Sequence, residues 1–194
     1  MKRLFTLMLA CAAIIVFAIA ATAVRAEDGS DDNSGTQTAQ PCDNRQGENE
    51  AGDDHGTDSR AIASDDREGT SGDDDQDGTR GDDQLNGRAG DDDERGDAGD
   101  DEMNGGSGDD DLCGDAGDDD MNGGPGDDIM KGGAGNDHMV GGKGHDDIEG
   151  NAGNDTINSR DGQRDVVNCG RGHDHVRADR KDRVSRTCES VKRS

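Results

Sequence analysis

From Ser71 the chain can be written in nines without a gap: SGDDDQDGT, RGDDQLNGR, AGDDDERGD, AGDDEMNGG, SGDDDLCGD, AGDDDMNGG, PGDDIMKGG, AGNDHMVGG, KGHDDIEGN and AGNDTINSR, ending at Arg160. Every unit has Gly second and Asp fourth. A composition rich in Gly and Asp can supply those letters, but it cannot hold their phase over such a length. A period this short means that no unit can bury its own apolar face. Each must stack on its neighbours, and the chain is read as an array of coils.

Composition then limits what holds the array together. The chain has no Trp or Tyr, and both phenylalanines, Phe5 and Phe17, fall in the first 26 residues. A chain this poor in large apolar groups cannot offset its ordering entropy with a conventional hydrophobic core. Charge is distributed in blocks. Residues 71–160 carry 28 acids against 6 bases, whereas 161–194 carry 6 against 9. The acidic block repels itself and repels nucleic acid, whose phosphates need Lys and Arg. Its natural partner is a cation, and with so thin a core the metal-free block is expected to be unfolded, as in other metal-dependent folds.

Rotated by two places, the unit reads G-G-x-G-x-D-x-U-x, with U a large apolar residue. In this form the sequence resembles the RTX, or haemolysin-type, calcium-binding nonapeptide repeat family. First-position glycines run every nine residues from Gly78 to Gly150, and Ser159 breaks the series. The second-position glycine is kept at Gly106, Gly124, Gly133 and Gly142. The resemblance implies an all-β fold, a right-handed parallel β-roll of nine-residue repeats. Six residues would make a binding turn and three a short strand, with two units per coil. It also implies Ca²⁺ as the cofactor, held by Asp74, Asp83, Asp92, Asp101, Asp110, Asp119, Asp128, Asp137, Asp146 and Asp155. Elementary chemistry agrees. Calcium takes six to eight oxygen ligands, and a glycine-rich turn can aim successive carbonyls at one centre. Aspartates 18 residues apart would stack on one edge and flank one ion, from Asp74/Asp92 and Asp83/Asp101 to Asp137/Asp155.

The strand residues test the two-unit coil. Successive strand side chains face opposite ways, so U should point inward. On one sheet U is Leu85, Met103, Met121, Met139 and Ile157; on the other it is Gln76, Glu94, Leu112, Met130 and Ile148. The residue after U is Asn86, Asn104, Asn122, Val140 and Asn158 in the first series, against Asp77, Arg95, Cys113, Lys131 and Glu149 in the second. An asparagine column appears only when the chain is read in eighteens, and stacked Asn side chains can hydrogen-bond along parallel strands. The units at 71–97, with Thr79, Arg88 and Asp97 where Gly is preferred and polar Gln76 and Glu94 at U, read as a frayed entrance. The tightest sites are expected within 98–155.

Residues 1–26 read as an export signal: Lys2 and Arg3 precede an apolar run, with cleavage after Ala23 or Ala26. An uncleaved anchor is the competing reading. Residues 27–70 read as an acidic, disordered linker. The mature chain keeps Cys42, Cys113, Cys169 and Cys188, an even number that fits disulfides outside the cytosol.

After Arg160 the phase slips by one residue. Asp165/Val167 and Asp174/Val176 recur at nine, Asp182/Val184 follows at eight, and the charge turns positive. Residues 161–194 read as degenerate repeats and a basic cap. The run DVVNCG followed by DHVRAD, DRVS and CES resembles the tail of small exported RTX-type proteins of bacteria, and that resemblance implies a Cys169–Cys188 disulfide closing the cap. Family members exported by type I secretion usually lack an N-terminal signal, so this chain points instead to general secretion.

Competing motifs are weaker. Asp73-x-Asp75-x-Asp77-Gly78 begins like an EF-hand loop, but its twelfth position is Gln84. His173-x-His175 could bind zinc, although solvated histidines fit these turn and strand positions better. No His-Glu-x-x-His or Gly-x-Ser-x-Gly occurs. The expectation is a non-enzymatic, secreted calcium-binding structural or interaction module that folds on binding Ca²⁺. It would contact neither nucleic acid nor, after signal cleavage, the membrane interior, and its protein or cell-surface partner is not named by the sequence. Two alternatives are an accessory module of an RTX-type secreted enzyme or toxin and a disordered acidic calcium buffer.

Overall fold

The computed structural model describes residues 66–194. The expected signal, Cys42 and nearly all of the expected linker lie outside them. Fifteen short strands follow one another: β1 Asp66–Glu68, β2 Asp75–Asp77, β3 Gln84–Ala89, β4 Asp93–Arg95, β5 Glu102–Ser107, β6 Asp111–Ala116, β7 Asp120–Pro125 and β8 Ile129–Ala134. After these come β9 His138–Lys143, β10 Asp147–Ala152, β11 Thr156–Ser159, β12 Val166–Asn168, β13 His175–Ala178, β14 Arg183–Val184 and β15 Ser190–Arg193. Odd-numbered strands form an eight-stranded sheet in chain order, and even-numbered strands form a seven-stranded one. Every strand pairing among the described residues is parallel, so each coil contributes one strand to each sheet. The fold is the expected all-β parallel roll.

Pleating places the U residues in two facing columns. On the first sheet Leu85, Met103, Met121, Met139, Ile157, Val176 and Val191 are in register from strand to strand. On the second the column is Gln76, Glu94, Leu112, Met130, Ile148, Val167 and Val184. From Leu85 to Val176 the apolar members of both columns are buried and form one cluster. The core is one side chain deep on each sheet, so backbone pairing and the turns must supply much of the cohesion. The asparagine column is real at its start: Asn104 Nδ2 donates to Asn86 Oδ1 at 3.3 Å and Asn122 Nδ2 to Asn104 Oδ1 at 2.9 Å.

The N-terminal end of the roll departs from expectation. At the N-terminal end the coils begin before the repeat does, because Asp66–Glu68 pairs with β3 and so removes these residues from the linker. The entrance is not open. Gln76 is 5% exposed and donates to the Asn86 carbonyl at 3.1 Å, while Glu94 is fully buried. That burial pushes the Glu94 carboxyl up to about 8, keeping it neutral inside the core. Arg88 and Asp97, which replace second-position glycines, adopt positive φ, as do Asp115 and Asn151. Ion pairs accompany this strain: Arg88 Nε donates to Glu68 at 2.9 Å, and Arg95 Nε donates to Asp115 at 2.7 Å.

At the other end, 161–194 continues both sheets through β12 to β15. The Cys169–Cys188 disulfide is present, with Cα atoms 5.2 Å apart. Cys113, which follows the inward Leu112, is buried and disulfide-bonded.

Candidate metal centre

Each turn between strands carries the fourth-position aspartate into the wall of the roll. Asp83, Asp92, Asp101, Asp110, Asp119, Asp128, Asp137, Asp146 and Asp155 are all 2% exposed or less, while Asp74, in the first turn, is half-buried. Their carboxylates form a directional ladder along each edge. One oxygen, Oδ1, accepts the backbone N–H of the aspartate one coil earlier: Asp92 from Asp74 at 2.8 Å, Asp101 from Asp83 at 2.8 Å and Asp119 from Asp101 at 2.9 Å. The pattern holds to Asp155, which accepts from Asp137 at 3.0 Å. The expected partners 18 residues apart are thus brought together.

The second oxygen is what sets these residues apart. From Asp92 to Asp155, Oδ2 is buried and has no hydrogen-bond partner. An unpartnered buried carboxylate oxygen costs more than the bond it forgoes, so it calls for a cation or a proton. Glycine makes the position possible: a Cβ at Gly114 would collide with Asp119 Oδ2. Gly117, at positive φ, likewise lets the turn lie directly on the Gly99 carbonyl of the preceding coil.

Electrostatics follow from this packing. Burial, partly offset by the N–H bond from the preceding coil and reinforced by neighbouring carboxylates, pushes Asp101, Asp119, Asp137 and Asp155 up to about 7. The same causes bring Asp110, Asp128 and Asp146 up to about 6. Asp92 is raised as well, chiefly by burial. Without a cation, these rows resist carrying their full charge near neutral pH.

The row closes differently at its N-terminal end. Asp74 Oδ2 accepts from the Thr70 amide at 2.6 Å and from its hydroxyl at 3.0 Å. Asp83 Oδ2 accepts from Thr79 in the same way, with the hydroxyl at 3.1 Å. Two features go beyond the sequence reading. First, Asp165 and Asp174 join the ladder, accepting from Asp146 and Asp155. Second, an exposed ladder runs alongside in the opposite sense: Asp73 Oδ1 accepts the Asp91 N–H at 3.0 Å, and Asp91 Oδ1 that of Asp109 at 2.9 Å. The third-position Asp of the first seven units was its signal.

Among the described residues no three His, Cys, Asp or Glu side chains converge on one point. A cation here would be held by paired carboxylates and turn carbonyls, an all-oxygen set suited to calcium rather than zinc. His173 and His175 are both exposed.

A family model describing the RTX calcium-binding nonapeptide repeat matches the chain in four copies, over residues 68–93, 95–121, 122–157 and 141–176. These matches together cover more than half of the chain. No curated protein and no solved structure matches it.

Proposed function

This chain belongs to the RTX calcium-binding nonapeptide repeat family, and from that premise we propose that it is an exported module whose coils fold when calcium binds. The observation carrying the reading is the row of buried carboxylates that each keep one oxygen unpartnered. Asp92, Asp101, Asp110, Asp119, Asp128, Asp137, Asp146 and Asp155 would hold the ions, with Asp74 and Asp83 as terminal members already engaged by threonine. Bound calcium would supply the positive charge against which these carboxylates ionise. The chain's own part is to fix one oxygen of each carboxylate with a backbone N–H and to present the other.

The role that fits is structural or interactive rather than enzymatic. The exposed faces carry ladders of carboxylate and amide groups, and the buried acids are committed to the coil junctions. The module would act outside the cell, where millimolar extracellular calcium suits modest-affinity sites and where disulfides such as Cys169–Cys188 persist. Circular dichroism of the chain with calcium and with excess chelator tests the reading. A β signal that needs calcium supports it; a chain that binds calcium yet gains no β signal is a disordered buffer instead.

A further inference from the structure

Counting on by nine from Asp155 reaches Arg164 and then His173, neither of which can replace a carboxylate. The structure places one more residue in the turn before β12, and Asp165 and Asp174 enter the row instead. Asp165 Oδ1 accepts the Asp146 N–H at 3.1 Å, and Asp174 Oδ1 accepts the Asp155 N–H at 2.9 Å, across 19 residues rather than 18. Both side chains are buried, at 1% and 0% exposure. Both keep an Oδ2 atom that is buried and unpartnered, as in the repeats.

One coil further the row changes character. Asp182 Oδ2 accepts from the Asp179 N–H at 2.5 Å and from Ser159 Oγ at 3.1 Å. Glu189, which is exposed, reaches the Asp174 N–H at 3.0 Å. Basic side chains sit on the turn carbonyls: Lys181 Nζ donates to Gly162 at 2.6 Å, and Arg193 Nη1 to Asp179 at 2.8 Å and Asp182 at 3.2 Å.

We propose that Asp165 and Asp174 are calcium ligands, each completing a site with the aspartate one coil earlier: Asp146 with Asp165 and Asp155 with Asp174. The ion row therefore runs past the end of the nine-residue phase. It stops at Asp182 and Glu189, where amide, hydroxyl and basic groups of the chain take the ion's place. This inference rests on the calcium reading of the row.

Bound calcium counted by native mass spectrometry on the full chain tests it. Asparagine keeps the Oδ1 acceptor and removes the charge. Asp165→Asn and Asp174→Asn should each lose one ion and the double variant two, while Asp182→Asn loses none and Asp119→Asn serves as the reference. Asp165→Glu should retain the ion. Wild-type counts in Asp165→Asn and Asp174→Asn alongside a loss in Asp119→Asn overturn the inference and leave the calcium reading standing. An unchanged count in Asp119→Asn as well brings down that reading. Should an asparagine variant fail to fold, anomalous scattering from calcium-loaded wild-type crystals decides: peaks at Asp165 and Asp174 support the assignment, and their absence overturns it.

Discussion

The coils of 98–160 and those of 161–194 share strand pairing, inward apolar columns and the carboxylate-to-amide ladder. They differ in what completes the turns. In the central coils, glycine turns leave a buried carboxylate oxygen with no partner. In the last coil, Ser159 and the Asp179 amide meet the corresponding oxygen of Asp182, Lys181 and Arg193 sit on turn carbonyls, and the Cys169–Cys188 bridge ties the end together. The charge balance follows, strongly acidic before Arg160 and basic after it. The path of the backbone and the supply of positive charge are therefore separable. The same coil can be completed by an ion that comes and goes or by side chains that are always present.

The largest test of this contrast is chelation. Removing calcium should abolish the β signal of residues 71–160, because ladder carboxylates without cations repel one another and the core is thin. Strong β signal persisting in excess chelator would contradict the dependence. Acid should partly replace the ion. The unfolded aspartates release their protons near 3.8, whereas Asp101, Asp119, Asp137 and Asp155 in the ion-free roll hold theirs to about 7. The folded state thus binds more protons between those values, and its stability falls as pH rises through that window. Chelated protein should recover ellipticity at about pH 4.5 relative to pH 7.5, while the calcium-loaded form loses ions on the same acidification. Equal ellipticity at both pH values in chelator would dispose of the proton-for-ion exchange.

Next comes the difference between the middle of the row and its start. Asp119→Ala or Asp128→Ala removes a carboxylate with ladder partners on both sides, Asp101 and Asp137 or Asp110 and Asp146. Calcium affinity should fall roughly tenfold or more, about 1.4 kcal/mol. Asp74→Ala, whose oxygen is already held by Thr70, should cost clearly less. Equal losses in calorimetric titrations of the three would argue against the stacking register. The smallest effect on ion binding belongs to the covalent closure, which acts on stability instead. Cys188→Ser should destabilise the calcium-bound roll by about 3 kcal/mol in the chain-entropy view, read as an earlier denaturation midpoint with the calcium count unchanged. A lowered count would show that the bridge shapes the ion sites themselves.

Most of the fold was legible because period nine fixes the turn and period eighteen fixes the sheet. Asn86, Asn104 and Asn122 recur only in the longer period, and they do hydrogen-bond in a column. The disulfide was legible only through resemblance to related tails. Three features were legible only in part, for physical reasons. Asp165 and Asp174 were seen to recur at nine after a one-residue slip, but only the loop that absorbs the slip puts them in the same row as the repeat aspartates. Gln76 and Glu94 stood at inward positions by alternation, but their polar type suggested fraying, whereas a carbonyl partner for Gln76 and a neutral Glu94 let both be buried. The Thr70 and Thr79 hydroxyls matter only once the chain has folded back to bring them to Asp74 and Asp83, four residues on.

The two antiparallel-sensed ladders, one buried and one exposed, repeat every 18 residues, and this sets the unit in which the chain's length can be edited. Removing residues 116–133 takes out one whole coil, keeps each later strand in its own sheet and leaves every surviving ladder with a partner of the same kind. Such a shortened chain should still fold with calcium while binding two fewer ions, one from each edge. Removing residues 116–124 alone would preserve the spacing of the aspartates but move every later strand to the opposite sheet. Met130 would then stack on Met103, and Lys131 would stand where Asn122 had continued the asparagine column. Inheritable growth or loss in such a roll therefore proceeds by whole coils, although its visible repeat is half that size.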